Sequence, residues 1–247
     1  MVRLGTVCQD AMWYDDNAYG QSWSALWSGY TTCGVCSAIR QIEGACQICG
    51  DPPYSCEPTL VRLEDGREMR EPACFTGAEG RFEDYVYLQM MEREWKRPLS
   101  ASENFSTLDS ANAPSPRAAI VLVFWSYFET RLERLLRAGM RSLPTPVTED
   151  LLQRYSPIGA RLDRLYRIAF GTTYFEDLDA LGYSNVQVCL RDVHQRRNEF
   201  AHGNPHALDD SLVLKLIMLL KVEHESWIAA FNLRTASPHA AARTVTP

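Results

Sequence analysis

The sequence lacks any hydrophobic run long enough to cross a bilayer. Its longest apolar stretches are residues 118–125 and residues 212–220, and Lys215 interrupts the second, whereas a membrane-spanning helix needs about 20 such residues. Residues 1–17 also lack the apolar core of a secretory signal peptide, because three aspartates fall among them. We therefore expect a cytoplasmic protein with no membrane contact.

The chain also lacks the net positive charge typical of proteins that bind nucleic acid over a large surface. Its formal charge is -6 and its isoelectric point is near 5.4. The acidic excess lies in the first half, since residues 1–112 carry 9 basic and 17 acidic side chains and residues 113–235 carry 15 and 14. This charge argues against a protein that binds nucleic acid over a large surface, but an enzyme that meets RNA briefly needs only a local basic patch.

Cysteine is scarce after residue 75 and concentrated before it, where seven of the eight lie. Four of them form two Cys-x-x-Cys pairs, Cys33 with Cys36 and Cys46 with Cys49. Each such turn presents two thiolates, and two turns complete a tetrahedral site for one ion. Without an export signal, this spacing favours metal ligation over disulfides and predicts one structural Zn²⁺.

Other uses of the cysteines stay open at this stage. An iron–sulfur cluster is one alternative, and a redox pair is another, although no strand–helix context of the thioredoxin type surrounds either motif. Cys56 and Cys74 could replace one ligand or bind a second ion with Cys8, while Cys189 suits a buried core position. Gly34 and Gly50 suit the tight backbone of the two turns.

Helical periodicity begins at residue 80 and dominates the rest of the chain. Apolar residues recur at three- and four-residue steps in residues 80–97, 118–140, 148–170 (interrupted by Pro157), 174–181, 186–202 and 212–233. We therefore expect a mainly α protein with a bundle of four to five helices at residues 115–235. A Cys-rich zinc-stapled ribbon or knuckle module at residues 1–78 and a connecting helix and linker at residues 79–114 precede it, and residues 236–247 are expected to be disordered.

Four arginines recur along one predicted helix, at Arg131, Arg134, Arg137 and Arg141. Cations near a helix C-terminus interact favourably with the helix dipole. The row is therefore expected to be a solvated face, with contact to RNA as the alternative.

A second polar group lies at the end of the helix predicted for residues 186–202. Arg197 and His202 are five residues apart there, and Asn198 is one turn before His202. Metal-free RNA cleavage needs a group that titrates near neutrality to move protons and a fixed cation for the phosphorane charge. Histidine and arginine have these properties, and Asn198 could orient the imidazole or bind a phosphate oxygen.

This segment resembles the Arg-x(4–6)-His signature of HEPN-domain proteins, including the polar residue that follows the arginine. Residues 118–136 are similar to the first helix of that family, with Glu129 at its acidic position. The resemblance covers residues 115–234. It implies a helical bundle that dimerises and brings two copies of the motif into one composite cleft.

The resemblance also implies an activity, that of a metal-independent endoribonuclease in toxin, antiphage or CRISPR-linked systems. Carried over by position, Arg197 and His202 are catalytic, Asn198 supports them and Glu129 is a helper. RNA is then the substrate and a 2',3'-cyclic phosphate the product. Some members only bind, so the alternative is an inactive dimeric scaffold whose zinc module recruits a protein partner.

Several other residues are candidates for the same site. Arg196 also has the right distance to His202, but the residue after it is Arg197 and not a small polar group, so it ranks second. Some family members carry a tyrosine for nucleotidylation two positions after the histidine, where this chain has Asn204. His194 could line the same groove, although a structural role is favoured. His206, His224 and His239 are expected to be surface residues.

Aromatic residues are frequent in the acidic N-terminal module: Trp13, Tyr14, Tyr19, Trp23, Trp27 and Tyr30. In a module of this size they are expected to build a core, and stacking on bases or gripping a partner is the alternative. The acidic charge of this half favours contact with a protein over capture of RNA.

Overall fold

The structure is a computed structural model that describes residues 23–27, 30–33, 35–41, 44–52, 59–62, 68–71, 82–99 and 114–236. The predictions for Cys8, Cys56, Cys74, Gly34 and His239 lie outside these residues, as do those for Trp13, Tyr14, Tyr19 and the tail beyond residue 236. Within the described ranges the protein is mainly helical, as expected, with short strands in the N-terminal part.

Two antiparallel hairpins form the strand structure. Strand β1 (Tyr30–Thr32) pairs with β2 (Ile39–Gln41), and β3 (Thr59–Arg62) pairs with β4 (Glu68–Glu71). A 3-10 helix at Trp23–Trp27 precedes them.

The helices follow in the predicted order. They are α1 (Phe82–Lys96), α2 (Ala118–Gly139), α3 (Thr145–Arg154), α4 (Ile158–Ala160), α5 (Tyr166–Phe170), α6 (Tyr174–Ala180), α7 (Ser184–Ala201) and α8 (Asp210–Thr235). A π-helical turn at Arg161–Leu165 joins α4 to α5 without a break. Such turns occur as single insertions in α-helices, frequently beside functional sites.

Local signals in the sequence account for several helix ends. Asp209 accepts a hydrogen bond from the backbone N–H of Leu212 and caps α8. Gly171, with φ of 79°, ends α5 in the left-handed conformation that glycine adopts without strain. The helix predicted to begin at Thr148 begins at Thr145, because Pro144 and Pro146 supply the fixed φ that suits a first turn.

Helix α2 lies at the centre of the core and contacts α1, α7 and α8. Its side chains Phe124, Tyr127, Phe128, Leu132 and Leu135 are fully buried. Trp23, Leu26, Trp27 and Ile39, from the N-terminal part, belong to the same hydrophobic core as the helices. The first described residues therefore pack directly on the helical bundle.

The expectation for the arginine row is wrong for its first two members. Arg131 is 0% exposed and its Nη2 donates to both Glu223 carboxylate oxygens at 2.6 Å. Arg134 is also buried and forms a two-bond pair with Asp84 of α1, at 2.8 and 3.0 Å. Helices α1 and α8 cover this side of α2, so these cations are neither solvated nor available to RNA.

Arg137 and Arg141, the last two arginines of the row, are closer to the expected solvated face. Arg137 is partly exposed and pairs with Glu133 and Glu149, and Arg141 is exposed.

None of the described helices combines the length and the low charge that crossing a membrane requires.

Candidate functional site

The four cysteines of the two motifs lie together, as predicted. The sulfur atoms of Cys33, Cys36, Cys46 and Cys49 all lie within 4.8 Å of one another, and Cys33–Cys49 and Cys36–Cys46 are each 3.6 Å apart. In a tetrahedral Zn²⁺–thiolate site with bonds of about 2.3 Å, the sulfurs are about 3.8 Å apart. The cluster therefore has the dimensions needed to hold one metal ion.

The backbone of the two cysteine turns follows one pattern. In each, the residue after the second cysteine donates its N–H to the carbonyl of the first: Ser37 to Cys33 at 2.9 Å and Gly50 to Cys46 at 2.8 Å. Both residues have positive φ, 62° at Ser37 and 76° at Gly50. The prediction that Gly50 supplies a tight turn fits this geometry, whereas the equivalent role of Ser37 was missed, because serine gives no sequence signal for positive φ.

A buried arginine joins the two turns. Arg40 follows the first turn and donates through Nη1 to the Asp51 carbonyl, the Asp51 carboxylate and the Pro52 carbonyl, at 3.0–3.1 Å. It also donates to the carbonyl of Gly44. Because Asp51 Oδ2 lies 3.7 Å from the sulfur of Cys33, this ion pair supports the cluster directly.

The thiols of the cluster differ in acidity. Burial raises the pKa of Cys36 to about 12. Burial alone would also raise the pKa of Cys46, but backbone N–H groups of Cys49 and Ile48 donate to its sulfur and the pKa falls to about 7. Burial therefore disfavours loss of all four thiol protons, and a divalent metal bound here would supply the charge that stabilises four thiolates.

The cluster is attached to the last helix by one side chain. Asn232 of α8 accepts from the backbone N–H of Ile39 and donates to the carbonyl of Ile39, both at 2.7 Å. Ala236, just after α8, packs against the cluster itself. The Asn232 side-chain amide therefore makes with β2 the pair of hydrogen bonds that a neighbouring strand would make.

A second site lies where α2, α4 and α7 meet, and we call His194, Arg197, Asn198 and Glu129 the α7 polar cluster. The His194 ring stacks flat on Trp125 of α2, with ring centroids 5.2 Å apart and planes 4° apart. On α4, a Cβ atom added to Gly159 would lie 3.9 Å from the His194 ring. The imidazole is therefore held between two helices.

Hydrogen bonds connect three members of this cluster in series. Arg197 Nη1 donates to Asn198 Oδ1 at 3.2 Å, and Asn198 Nδ2 lies 3.1 Å from His194 Nε2. The pKa of His194 is lowered, first by burial and then by the charge of Arg197, while Glu129 opposes the shift. Among the described residues, neither Arg197 nor Glu129 forms an ion pair.

His202 lies at the open end of the same helix. It is the residue that follows α7, it is exposed, and its ring makes no hydrogen bond to any residue that the structure describes. By helical spacing it is one turn beyond Asn198. His202 is therefore available to a ligand, although no contact joins its ring to the other members of the cluster.

Arg196 is engaged elsewhere. It donates to the carbonyl of Ala207 at 2.6 Å and pairs with Asp209 at 2.5 Å. These contacts tie the end of α7 to the start of α8.

The surface position expected for His224 is wrong. This residue is 0% exposed, and its ring packs edge-on against Trp27 at 4.4 Å and Tyr30 at 5.5 Å. The N-terminal 3-10 helix and β1 cover this part of α8, and periodicity within α8 cannot reveal a cover from elsewhere. His206 is exposed, as expected.

The hydrogen bond between His194 and Asn198 was not predicted. The sequence analysis placed His194 in the same groove only as an alternative to a structural role. The spacing His194-x-x-x-Asn198-x-x-x-His202 places all three on one helix face and was the signal available.

The comparisons with known proteins add no relative, since no family model, no curated protein and no solved structure matches the chain.

Proposed function

We propose that this protein is a metal-independent endoribonuclease of the HEPN type, acting as a toxin or antiphage effector. The proposal rests on Arg197, a cation without a carboxylate partner among the described residues. Arg197 is hydrogen-bonded to Asn198 and lies five residues before the exposed His202. Arg131, Arg134 and Arg196, by contrast, have acidic partners. An unpaired cation beside a histidine is suited to a phosphodiester.

The chemistry divides between these side chains. The 2'-hydroxyl of RNA attacks the adjacent phosphorus, its proton leaves to a base, and the 5'-oxygen departs with a proton from an acid. His202 serves as general acid or base, and Arg197 stabilises the charge of the phosphorane. Asn198 holds Arg197 in position, and Glu129 is a helper of the catalytic pair. Two copies of the chain form the composite cleft, so one histidine comes from each.

The cysteine cluster has a separate role in this proposal. It binds one structural Zn²⁺ through Cys33, Cys36, Cys46 and Cys49, supported by the sulfur spacing and by the Arg40–Asp51 clasp. Zinc with four thiolates has no open coordination position, so it stabilises the fold and takes no part in cleavage. The N-terminal module remains available to a protein partner.

The test is cleavage of total RNA and tRNA by the full-length protein, purified with zinc and assayed without free divalent metal. His202→Ala should lower the rate by about 10²–10⁴-fold, and Arg197→Ala should do the same without a change in thermal stability. His206→Ala is the matched control, because His206 is also exposed and only four residues away. Cut ends should carry 2',3'-cyclic phosphate.

Two results would overturn the proposal. Undiminished cleavage by the His202→Ala protein would show that the activity resides elsewhere. No cleavage of any RNA by a folded wild-type dimer would favour the inactive scaffold, which a stable complex recovered through the N-terminal module would then support.

A further inference from the structure

Arg197, at one end of the series of hydrogen bonds in the α7 polar cluster, fixes the donor and acceptor roles of Asn198 and His194. A guanidinium has only N–H donors. The Asn198 atom that faces Arg197 must therefore be the carbonyl oxygen, which is where the structure has it, at 3.2 Å. The amide nitrogen of Asn198 then faces His194 Nε2 at 3.1 Å.

The second step follows from the first. The Asn198 amide nitrogen can only donate, so His194 Nε2 must be an acceptor and carry no proton. The ring proton of neutral His194 is then on Nδ1. A protonated His194 would place two donors against each other, and turning the amide over would only move that conflict to Arg197.

The surroundings hold the ring in this arrangement. Stacking on Trp125 fixes its plane, and Gly159 on α4 brings no charge to it. The charged groups that act on His194 are Arg197 on its own helix and Glu129 on α2. Arg161, which follows α4, is held by Glu133 and by backbone carbonyls. Burial and Arg197 together lower the pKa of His194, which favours the neutral form.

We propose that His194 is a positioning residue: neutral and protonated on Nδ1, it orients Asn198, and Asn198 holds the Arg197 guanidinium ready for a phosphate. Protonation of His194 releases Asn198 and leaves Arg197 unsupported. The catalytic consequence rests on the proposed ribonuclease function, whereas the tautomer and the hydrogen bonds do not.

The tautomer can be measured on the wild-type protein without any activity. Long-range ¹H–¹⁵N correlation spectra of the ¹⁵N-labelled full-length protein distinguish the two protonation sites of each imidazole. At pH 7.5 we expect His194 with its proton on Nδ1, assigned by its loss in His194→Gln and by its retention in His202→Gln. A proton on Nε2 of His194 would overturn the proposal, whether or not RNA is cleaved.

Cleavage kinetics test the functional step. His194→Gln keeps an acceptor oxygen for the Asn198 amide, whereas His194→Leu has none. We expect kcat to fall by about 10- to 100-fold in His194→Leu and much less in His194→Gln. The loss of rate that wild type shows on acidification should also become shallower in His194→Gln, since a glutamine cannot take up the proton that breaks the contact with Asn198.

A purely structural role predicts another pattern. If His194→Leu and His194→Gln lose kcat equally, or if the acidic limb is the same in His194→Gln and in wild type, positioning through Asn198 is wrong. Circular dichroism and thermal melting of both variants identify any general loss of fold. Failure of wild type to cleave RNA would refute the ribonuclease while leaving the tautomer measurement intact.

Discussion

Burial of a titratable side chain ties stability to pH, and His224 is the clearest case in this protein. Its ring is fully buried against Trp27 and Tyr30. Burial, and then the positive charge of Arg131, lower its pKa well below the usual 6.5. The folded protein therefore keeps His224 neutral at pH values where an unfolded chain protonates it.

This difference predicts a loss of stability on acidification. Below about pH 6.5 the unfolded state binds a proton that the folded state does not, so the free energy of unfolding should fall by up to about 1.4 kcal/mol per pH unit. Above pH 6.5 the effect is absent. Urea unfolding at pH 7.5, 6.0 and 5.0 measures it.

A matched pair of variants isolates the contribution of His224. His224→Leu should flatten the pH dependence relative to wild type, even if it changes the absolute stability. His206→Gln, at an exposed position, should leave the slope as it is. Equal slopes in wild type and His224→Leu would show that His224 is protonated in the folded protein.

What could be predicted for single residues depended on how local the signal was. The four cysteines were predictable because ligand spacing within a turn is a property of a few neighbouring residues. Burial of Arg131, Arg134 and His224 was not, because it is set by α1, α8 and the N-terminal 3-10 helix lying over them. Asp84, the partner of Arg134, is 50 residues away in sequence, and Glu223, the partner of Arg131, is 92 residues away.

At the scale of secondary-structure elements, the contact between β2 and α8 is a hydrogen-bonded pair made by one side chain. Asn232 satisfies both the N–H and the carbonyl of Ile39. Ile39 is buried in the main core, so its backbone groups have little water to replace a lost partner. Unsatisfied buried groups cost about 1–3 kcal/mol each.

Asn232→Ala is therefore expected to lower the free energy of unfolding by about 2–4 kcal/mol. Faster hydrogen exchange at the Ile39 amide should accompany the loss. Gln195→Ala is the control, because Gln195 is an exposed helical residue whose side-chain amide donates to the exposed Glu199 carboxylate. It should change stability by less than about 0.5 kcal/mol. An unaltered Ile39 exchange rate in Asn232→Ala would contradict the attachment.

Helices were the elements that sequence predicted best. Periodicity located α1, α2, α7 and α8 to within a few residues, because an amphipathic helix shows its own pattern. The 3-10 helix at Trp23–Trp27 and the π-helical turn at Arg161–Leu165 were not predicted. Both are stabilised by packing against other parts of the chain, which leaves no period in the local sequence.

At the scale of the whole molecule, the cysteine cluster and the helical bundle are joined by direct contacts. The cluster contacts Ala236, β2 is bonded to α8, and the 3-10 helix shares the main core. A bound Zn²⁺ should therefore stabilise the entire fold and not only its N-terminal part.

Metal removal is predicted to lower the Tm of one cooperative transition. Differential scanning calorimetry with and without a strong chelator should show that single transition shifting down, with recovery when Zn²⁺ is restored. Cys33→Ser with Cys36→Ser should shift it in the same direction and no longer respond to zinc. Two separate transitions, with the helical one indifferent to chelator, would contradict the coupling.

The bond between Ile39 and Asn232 joins residues 193 positions apart in sequence. A ribosome synthesises the cysteine turns well before their attachment point on α8. Long-range contacts of this kind form slowly. The N-terminal part therefore cannot complete its packing until α8 has been synthesised, and a product truncated before α8 would lack this attachment.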